Sequence, residues 1–484
     1  MEDSIYKWKK YYDHSPAFLK KVVGNLYRQI PLPFRYGTKY KYYRDLLTES
    51  KFWSKQKLEE YQMQRLEKLL RHVYENVPYY RRVFDEREIK PEDIQNLSDF
   101  KNIPYLTKEI VRNNIQDLIA RNYPKHKLLY QTTGGSTGAP LTFYHEKSVA
   151  RSKEVAFFEA LWSRVGYRWG RDRMISLRGE TVKAKDNKFW EYEPIRNNLI
   201  FSVYHMTNEN LPYYIERIKT FEPRFIYTYP SAITLLAIFM RNNDIGPFNC
   251  LKAILCGSEH LFPQQQHLLE ETFNCKILNW YGMGEKVTLA GSCEHSSYYH
   301  IFPEYGITEL IGENGRAVCE EDKVGEIIGT SFDNDIMPFI RYKTGDLGVH
   351  TNQKCKCGRN YPLIKCIEGR VQEFIVSKDG SLISLNGNMI SLDSALFSIK
   401  NEGWRKIKQI QFIQEEKGKL TLRVVKDDRF SLLDATEYVK SLFEKRLRYL
   451  CEFKIEFVDD IPRTDRGKHR FLIQKMPIEF TLQN

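Results

Sequence analysis

The chain has 484 residues, too many for one ordinary domain, and its 42% hydrophobic and 14% aromatic residues exclude a disordered protein. Its nine cysteines, an odd number, exclude the disulfide framework of a small secreted domain. The formal net charge is +12, and residues 1–80 hold 16 Lys and Arg against 9 Asp and Glu, so this end of the chain suits an anionic surface.

The first residues, Met1–Ser4, are acidic where a signal peptide is basic, and no apolar core follows them promptly. No apolar run approaches the roughly 18 residues that a membrane-spanning helix needs. The longest run lies around Ala232–Met240 and has half that length. We therefore expect a cytoplasmic protein.

Residues 1–100 are predicted to be helical, because Phe52–Val77 carries apolar residues at helical spacing and prolines break the chain from Pro78 onward. Residues 18–28 are amphipathic and basic, which is typical either of a solvated surface or of a helix that lies on a membrane. A peripheral contact with a membrane or with glycan-assembly proteins through this segment is one hypothesis, and no nucleic-acid partner is expected.

From about residue 126 strands alternate with helices. The predicted strands are Lys127–Gln131, Met174–Leu177, Arg224–Thr228, Leu251–Cys256 and Lys276–Trp280. The predicted helices are Ser148–Trp162, Pro230–Arg241 and Pro263–Phe273. This alternation predicts right-handed βαβ units and a parallel sheet that is covered by helices on both faces.

Beyond Tyr299 the chain becomes rich in strands. Ile307–Ile311, Gly325–Ser331 and Pro338–Tyr342 predict a smaller β-rich subdomain. After residue 369 strands at Lys408–Gln414 and Lys419–Val425 are followed by a helix at Leu432–Tyr449, which predicts a separate small α+β domain.

We therefore predict an α/β protein of three parts. Residues 1–100 would form a helical segment packed on the main domain. Residues 101–369 would form a large domain with parallel βαβ sheets and the β-rich subdomain. Residues 370–484 would form a small, mobile α+β domain.

The segment Thr132–Pro140 is a loop of small residues that follows a predicted strand. Its glycines let the backbone approach a ligand closely, and successive N–H groups in such a loop suit phosphate. It is not a Walker A loop, since no Gly-Lys-Ser/Thr ends it, and it is not a GxGxxG loop. Taken alone, the segment fits an ordinary turn as well as it fits a phosphate site.

The sequence of this loop resembles the nucleotide-phosphate loop of the acyl-adenylate-forming superfamily, which includes acyl-CoA ligases. Four further segments follow in the order of that superfamily: Gly257–Glu259, Asn279–Glu285, Arg341–Asp346 and Pro462–Lys468. Residues 70–80 and 103–108 are similar to phenylacetate–CoA ligase-like proteins, including relatives encoded in clusters for capsule and surface polysaccharides. The resemblance implies a large adenylating domain and a small lid domain.

The resemblance also implies a site for ATP, Mg²⁺ and a carboxylic acid. The nucleotide-binding residues would be Thr132, Thr133, Gly134, Gly135, Ser136, Thr137, Gly138, Gly257, Ser258, Glu259, Tyr281, Gly282, Met283, Asp346 and Arg370. Glu285 would bind Mg²⁺, and Lys468 would neutralise charge where the carboxylate attacks the α-phosphate. Tyr281 would lie against the adenine ring, and Asp346 would accept hydrogen bonds from the ribose hydroxyls.

The chain departs from the superfamily at two positions. Gly284 replaces a hydroxyl residue before the magnesium glutamate, and a lost hydrogen bond to a charged group costs about 1.5–3 kcal/mol if nothing replaces it. Gly369–Glu373 resembles the hinge of the small domain, but Glu373 stands where an Asp is usual. The first departure predicts a site that is slower or in which a neighbouring residue replaces the hydroxyl, and the second leaves the hinge position less defined.

A cysteine and histidine pattern predicts a structural zinc site. Cys355 and Cys357 form a Cys-x-Cys knuckle, and Cys293 and His300 lie upstream. Three thiolates and one imidazole are a tetrahedral ligand set for Zn²⁺, and a site with four protein ligands is closed and so structural. His295 is the rival to His300, and ordinary unpaired thiols are the alternative to a metal site.

Three functions remain open at this stage. The first is an AMP-forming acid–thiol ligase that transfers the acyl group to coenzyme A. The second is an adenylating enzyme of surface-polysaccharide synthesis whose acceptor is an amine, a hydroxyl or a carrier-protein thiol. The third is a degenerate relative that binds nucleotide or glycan-assembly partners without catalysis; Glu285, Asp346 and Lys468 argue against it, and Gly284 keeps it open.

Overall fold

Short apolar segments that alternate with helices form the centre of the fold. The computed structural model describes residues 11, 12, 14–133, 141–180, 182, 188–370, 374–384, 406–447, 449–464, 467–476 and 478. The helices are α1 (Ala17–Gln29), α2 (Leu32–Ser50), α3 (Lys55–Asn76), α4 (Pro78–Glu86), α5 (Lys108–Asn113), α6 (Lys147–Trp162), α7 (Leu211–Phe221), α8 (Pro230–Asn242), α9 (Pro263–Phe273) and α10 (Leu432–Leu447). The strands are β1 (Leu128–Thr132), β2 (Thr142–Glu146), β3 (Met174–Arg178), β4 (Trp190–Glu193), β5 (Asn198–Ser202), β6 (Phe225–Thr228), β7 (Ala253–Gly257), β8 (Lys276–Gly282), β9 (Leu289–Gly291), β10 (Tyr299–Ile301), β11 (Gly306–Ile311), β12 (Val324–Ser331), β13 (Tyr342–His350), β14 (Leu363–Arg370), β15 (Phe374–Val376), β16 (Leu382–Ser384), β17 (Ile407–Glu416), β18 (Lys419–Lys426), β19 (Glu452–Phe457) and β20 (Leu472–Gln474).

The large sheet has twelve described strands in the order β11-β12-β13-β14-β10-β9-β8-β7-β6-β3-β5-β4. Its neighbouring strands β5, β3, β6, β7 and β8 run parallel. Strand β7 is buried along its whole length, as a parallel strand covered on both faces requires. The predicted α/β architecture is confirmed.

Helices cover both faces of the parallel strands because alternate residues of each strand point in opposite directions. Ile226 and Ile254 pack with α7, α8 and α9 on one face. Phe225 and Leu255 pack with α2 and α6 on the other face. This arrangement leaves the carboxyl ends of the parallel strands together at one edge, where α/β proteins bind ligands.

The β-rich segment belongs to the same sheet. Strand β9 pairs antiparallel with β8, and β10, β14, β13, β12 and β11 follow in turn. The strand predicted at Pro338–Tyr342 is wrong, since β13 begins only at Tyr342. The Tyr80 phenol donates to the Pro338 carbonyl and accepts from the Ile340 N–H, both at 3.0 Å, so these backbone groups do not join a ladder.

The helical region at the start of the chain packs on the main domain through α3 and α4. Leu66, Leu70 and Val73 recur at helical spacing and are fully buried against Phe339 and Tyr342. None of the described helices combines the length and the apolar character needed to cross a bilayer.

The last part of the chain has a four-stranded sheet in the order β19-β18-β17-β20, and β15 pairs with β16 beside it. Phe443 and Val439 of α10 pack on Phe412 and Leu422 of this sheet. The predicted divisions at residues 100 and 369 stay predictions.

Candidate functional site

The carboxyl ends of β6, β7 and β8 bring the sequence motifs of the large domain to one edge. Gly257 at the end of β7 pairs with Trp280 of β8, so the segments Gly257–Glu259 and Trp280–Glu285 leave the sheet side by side. Ser258 adopts a positive φ of 67°, which turns the chain sharply away from the strand. The two motifs therefore meet because their strands are neighbours.

The predicted phosphate loop joins β1 and β2, and the structure describes only its two ends. The Thr133 N–H donates to the Leu141 carbonyl at 2.9 Å, and the Leu141 N–H donates to the Thr133 hydroxyl at 2.9 Å. Thr132 is the last residue of β1. Gly134, Gly135, Ser136, Thr137 and Gly138 lie outside the described residues, so their phosphate role stays a prediction.

Glu285, the predicted magnesium ligand, is 7% exposed and accepts a hydrogen bond from the Tyr342 phenol at 2.9 Å. Burial and the neighbouring Glu285 carboxylate raise the pKa of Tyr342 well above its ordinary value, so the phenol remains a donor at neutral pH. One carboxylate oxygen is thus held in place by a buried partner on β13.

The backbone at Gly284 is held by a second buried side chain. Burial lowers the pKa of His145 to about 3, so the ring is neutral, and its Nε2 lies 2.9 Å from the Gly284 carbonyl as a donor. A Cβ built on Gly284 would meet its nearest atom, Phe143 Cζ, at 3.7 Å. Packing therefore leaves room for a hydroxyl side chain at this position.

Asp346 meets two of the other predicted nucleotide residues. The Tyr281 phenol donates to Oδ2 of Asp346 at 2.8 Å, and the Arg370 guanidinium donates to Oδ1 at 3.3 Å. Burial, followed by the Asp346 charge, raises the pKa of Tyr281 well above its ordinary value. Each carboxylate oxygen has further lone pairs, so Asp346 can still accept from two neighbouring hydroxyls.

Gly282 and Met283 lie between Tyr281 and Glu285 in the chain. A Cβ on Gly282 would meet Leu289 at 3.2 Å and Trp280 at 3.3 Å, so this glycine lets the strand end pack closely. Met283 is partly buried against the core that also contains Phe143 and Tyr342.

Glu259 links the large domain to the loop that carries Lys468. Its carboxylate accepts from the Ser231 N–H at 3.0 Å and the Ser231 hydroxyl at 3.2 Å. It also accepts from the His469 N–H at 3.0 Å. Arg463 donates to the same Ser231 hydroxyl at 3.0 Å.

This loop packs tightly on the edge of the sheet. Gly467 has a positive φ of 74°, and a Cβ on it would lie 2.5 Å from Val203 Cγ2 and 3.0 Å from the Gly179 Cα. Only glycine fits both the conformation and the close approach. The Lys468 ammonium lies 6.0 Å from the centre of the Tyr229 ring, at the same edge as the strand ends.

The predicted zinc ligands Cys293, His300, Cys355 and Cys357 come together, with one ligand atom from each and all of these atoms within 4.8 Å of one another. The Cys293 and Cys355 sulfurs are 3.5 Å apart, and the Cys357 sulfur is 3.2 Å from His300 Nε2. His295 contributes only its backbone N–H, which donates to the Cys293 sulfur at 3.3 Å.

The surroundings of this cluster fit a metal site. His300 Nδ1 lies 3.2 Å from the Tyr298 carbonyl, so that nitrogen is the donor and Nε2 faces the thiols with a lone pair. Glu294 and Arg359 form an ion pair at 3.1 Å beside the knuckle. Three thiols and this imidazole are the donor set that Zn²⁺ prefers in structural sites.

Sequence reasoning missed several residues of the site. Tyr342 lies inside a recognised motif, yet nothing in the motif indicates that its phenol orients Glu285. His145 follows the loop at a buried position of β2, and that alternation is its only signal. The hydrogen bond from Arg463 to Ser231 joins residues that are far apart in sequence, which no local pattern reveals.

The sequence is similar along most of its length to known proteins. Residues 382–475 match the family of the CapK C-terminal domain. Protein CapK of Staphylococcus aureus is 26% identical over 475 residues, which cover 96% of this chain and 99% of that protein. A phenylacetate–coenzyme A ligase of Thermus thermophilus is 25% identical over 336 residues, which cover 66% of this chain and 72% of that enzyme.

The structure is similar to that of a 2-hydroxyisobutyryl-CoA ligase. In its postadenylation state that enzyme gives a TM-score of 0.68 with 19% identity, over 88% of this chain and 92% of that one. In its thioesterification state the TM-score is 0.58 with 20% identity, over 88% and 91%. The two chains share a fold.

Proposed function

Because the chain belongs to the adenylate-forming superfamily, among proteins similar to phenylacetate–CoA ligases and CapK, we propose that it activates a carboxylic acid with ATP. The products of this step are an acyl-adenylate and pyrophosphate. The acyl group then passes to the thiol of coenzyme A. The enzyme would use Mg²⁺ and would work in the cytoplasm, where ATP and coenzyme A are supplied.

The observation that carries this proposal is the convergence of Glu285, Asp346 and the Lys468 loop on one edge of the sheet. Adenylation brings two anions together, so a site needs cationic charge and fixed geometry at the reacting atoms. Lys468 supplies positive charge on a flexible stem, and Glu285 would hold Mg²⁺, which neutralises phosphate charge. Asp346 would fix the nucleotide through its ribose hydroxyls.

Exchange of labelled pyrophosphate into ATP, measured with a panel of carboxylic acids, tests the proposal. We expect acid-dependent exchange in the wild type and a loss of at least about 100-fold in Lys468→Ala, with retained nucleotide binding. Lys475→Ala is the matched control, since Lys475 is an exposed lysine of the same region that pairs with Glu415. Full exchange in Lys468→Ala would contradict the role of that lysine.

A second candidate keeps adenylation but changes the acceptor to an amine, a hydroxyl or a carrier-protein thiol of surface-polysaccharide synthesis. The similarity to CapK along 96% of the chain favours it. Hydroxylamine traps an acyl-adenylate whatever its natural acceptor, whereas a thioester forms only if coenzyme A is accepted. Hydroxamate without acyl-CoA would favour this candidate.

A degenerate, non-catalytic protein is the third candidate, and Gly284 is its only support. Packing leaves space for a hydroxyl side chain at Gly284, and Glu285 still accepts a hydrogen bond from the buried Tyr342 phenol. The glycine therefore removes one hydroxyl without removing the partner of Glu285. Nucleotide binding without exchange for any acid would favour this candidate.

We also propose that Cys293, His300, Cys355 and Cys357 bind one structural Zn²⁺ ion that ties β10 to the segment before β14. Metal analysis of the purified protein should find one zinc per chain. Cys357→Ser should lose it and unfold at lower temperature, whereas Cys319→Ser, a change at an exposed cysteine, should retain it. Zinc-free wild-type protein with unchanged thermal stability would contradict the proposal.

We further propose that α1 lies on an anionic membrane surface. The side chains of one of its faces are 42–70% exposed, namely Phe18, Leu19, Val22, Val23 and Leu26. The opposite face packs on the protein, since a Cβ on Gly24 would meet Pro194 at 2.4 Å and Arg28 donates to the Tyr192 hydroxyl at 3.2 Å. The apolar face therefore points outward.

Charge favours a membrane over a second copy of the chain. Residues 1–80 hold 16 basic and 9 acidic side chains, so two such regions repel each other while anionic lipids attract them. Sedimentation with vesicles of phosphatidylcholine and phosphatidylglycerol should pull down the wild type, with little binding to phosphatidylcholine alone.

The double variant Phe18→Ser with Leu26→Ser should bind these vesicles at least about 10-fold less, since each change removes an inserted apolar side chain. Leu432→Ser with Leu433→Ser changes two leucines that are also exposed and serves as the control. Equal binding of both variants, or a dimer in light scattering that the first variant disrupts, would contradict membrane docking.

A further inference from the structure

One row of residues crosses the carboxyl edge of the sheet. Leu177 pairs with Thr228, Thr228 with Cys256, and Gly257 with Trp280, so the next level of the sheet contains Arg178, Tyr229, Gly257 and Trp280. This row lies directly beside the loop that carries Lys468, because a Cβ on Gly467 would lie 3.0 Å from the Gly179 Cα.

Arg178 is fixed in this row by two aromatic rings. The centre of its guanidinium lies 4.3 Å from the Tyr227 ring centroid and 4.4 Å from the Tyr229 ring centroid. Its Nη2 donates to the Ser258 hydroxyl at 2.8 Å. A planar cation held by stacking and one hydrogen bond has a defined direction for its remaining donors.

One buried donor of Arg178 lacks an acceptor. Its Nη1 is buried without a hydrogen-bond partner among the described residues. The Trp280 indole N–H is also buried without a partner, and it lies over Gly257, whose Cβ would be 2.1 Å from Nε1. Buried donors, and charged ones above all, are costly when no acceptor satisfies them.

Arg178 and Lys468 share one aromatic ring. The guanidinium carbon and the Lys468 ammonium are at most about 10 Å apart, because they lie 4.4 and 6.0 Å from the same Tyr229 centroid. In the proposed function Lys468 meets the carboxylate that reacts. A second cation at this distance therefore lies within reach of the far end of a short acid.

We propose that Arg178 binds a second carboxylate of the substrate, so that the acid activated by this protein is a short dicarboxylic acid. This inference rests on the proposed function. The guanidinium presents parallel N–H donors that match a carboxylate in bidentate geometry, and the Trp280 N–H supplies a further donor in the same row. A purely apolar acid would leave the Arg178 Nη1 and Trp280 Nε1 donors unsatisfied.

Pairs of acids with equal chain length test the proposal: succinate against butyrate, and glutarate against pentanoate, in the pyrophosphate exchange reaction. The wild type should prefer the diacid by at least about 100-fold in kcat/KM, as a site built for a polar group rejects the analogue that lacks it. Arg178→Met should remove this preference by raising KM for the diacid while KM for ATP stays unchanged. Arg178→Lys, which keeps the charge but loses the planar donors, should be intermediate.

Arg173→Met is the matched control, because Arg173 is half-exposed beside the start of the same strand and pairs with Glu222. A wild-type preference for the monoacids would overturn the proposal. So would an Arg178→Met variant that loses activity with all acids equally and binds ATP more weakly, since Arg178 would then act on phosphate.

Calorimetry separates this proposal from the proposed function. Titration of the full-length protein with succinate and with butyrate needs no turnover. If no acid supports exchange, binding of succinate that is lost in Arg178→Met and kept in Arg173→Met still supports the dicarboxylate site. Equal binding of the two acids, or of neither, would overturn it.

Discussion

Asp346 lies in the large sheet and Glu285 in the turn between β8 and β9, and both accept hydrogen bonds from phenols of that sheet, whereas Lys468 reaches the edge on a loop of the last part of the chain. The first pair has buried partners that do not depend on domain placement. Among the described residues, hydrogen bonds with Glu259 and Ser231 hold the Lys468 loop to this edge. We propose that Glu285 and Asp346 belong to a preformed nucleotide side of the site, whereas the Lys468 loop is a docked side that can separate from it after adenylation.

The largest effect should come from removing the charge of Glu285 on the preformed side. Glu285→Gln removes the carboxylate that would hold Mg²⁺, and we expect exchange to fall about 1000-fold, ~4 kcal/mol of transition-state stabilisation. The measurement is pyrophosphate exchange across a range of Mg²⁺ concentrations. Glu88→Gln, at an exposed turn position, is the control, and an unchanged Glu285→Gln variant would refute a magnesium role.

The next largest effect should come from removing the contacts that hold the Lys468 loop on the docked side. Arg463→Met removes the hydrogen bonds to Ser231 and to the Gly467 carbonyl, and we expect about 30-fold slower adenylation with unchanged MgATP affinity. Arg429→Met changes a half-exposed arginine of the same region and should behave as wild type. Weaker MgATP binding in Arg463→Met would show that the loop belongs to the preformed side.

A smaller effect should follow from Tyr342→Phe, which keeps the buried ring and removes only the hydrogen bond to Glu285. We expect about 10-fold weaker exchange, with a higher Mg²⁺ requirement and nearly unchanged thermal unfolding. A loss of stability with a normal Mg²⁺ requirement would assign Tyr342 to packing alone.

The smallest expected effect is that of a change at Gly284, which also belongs to the preformed side. Gly284→Ser restores a hydroxyl where the nearest atom to a Cβ is 3.7 Å away, so we expect stable protein and exchange raised by about 3-fold. Gly282→Ser is the contrasting variant, because two contacts of 3.2 and 3.3 Å oppose its Cβ. A large loss of activity in Gly284→Ser would indicate that the glycine itself is required.

Much of the fold could be predicted because local patterns determine it. The helix Pro263–Phe273 has its predicted bounds, since a proline begins it and apolar residues recur along it. Pairing between strands could not be predicted, as β9 joins β8 through long-range hydrogen bonds that leave no periodic signal. Pro338–Tyr342 misled the prediction because its apolar residues pack into a core without forming a strand.

The candidate site also has a part that the sequence could predict and a part that it could not. Motifs predicted which residues meet, and the structure brings Tyr281, Asp346 and Arg370 together. The orientation of Glu285 by Tyr342 depends on the register of strands far apart in sequence. For the zinc ligands, spacing left His295 and His300 as rivals, and only the folding of β10 against the knuckle distinguishes them.

A single-turnover reaction without coenzyme A measures the adenylation step by itself. Enzyme in excess is mixed with labelled MgATP and an accepted acid, quenched, and analysed by mass spectrometry. We expect one acyl-adenylate and one pyrophosphate for each ATP consumed. Unchanged ATP, or its conversion to ADP and phosphate, would contradict it.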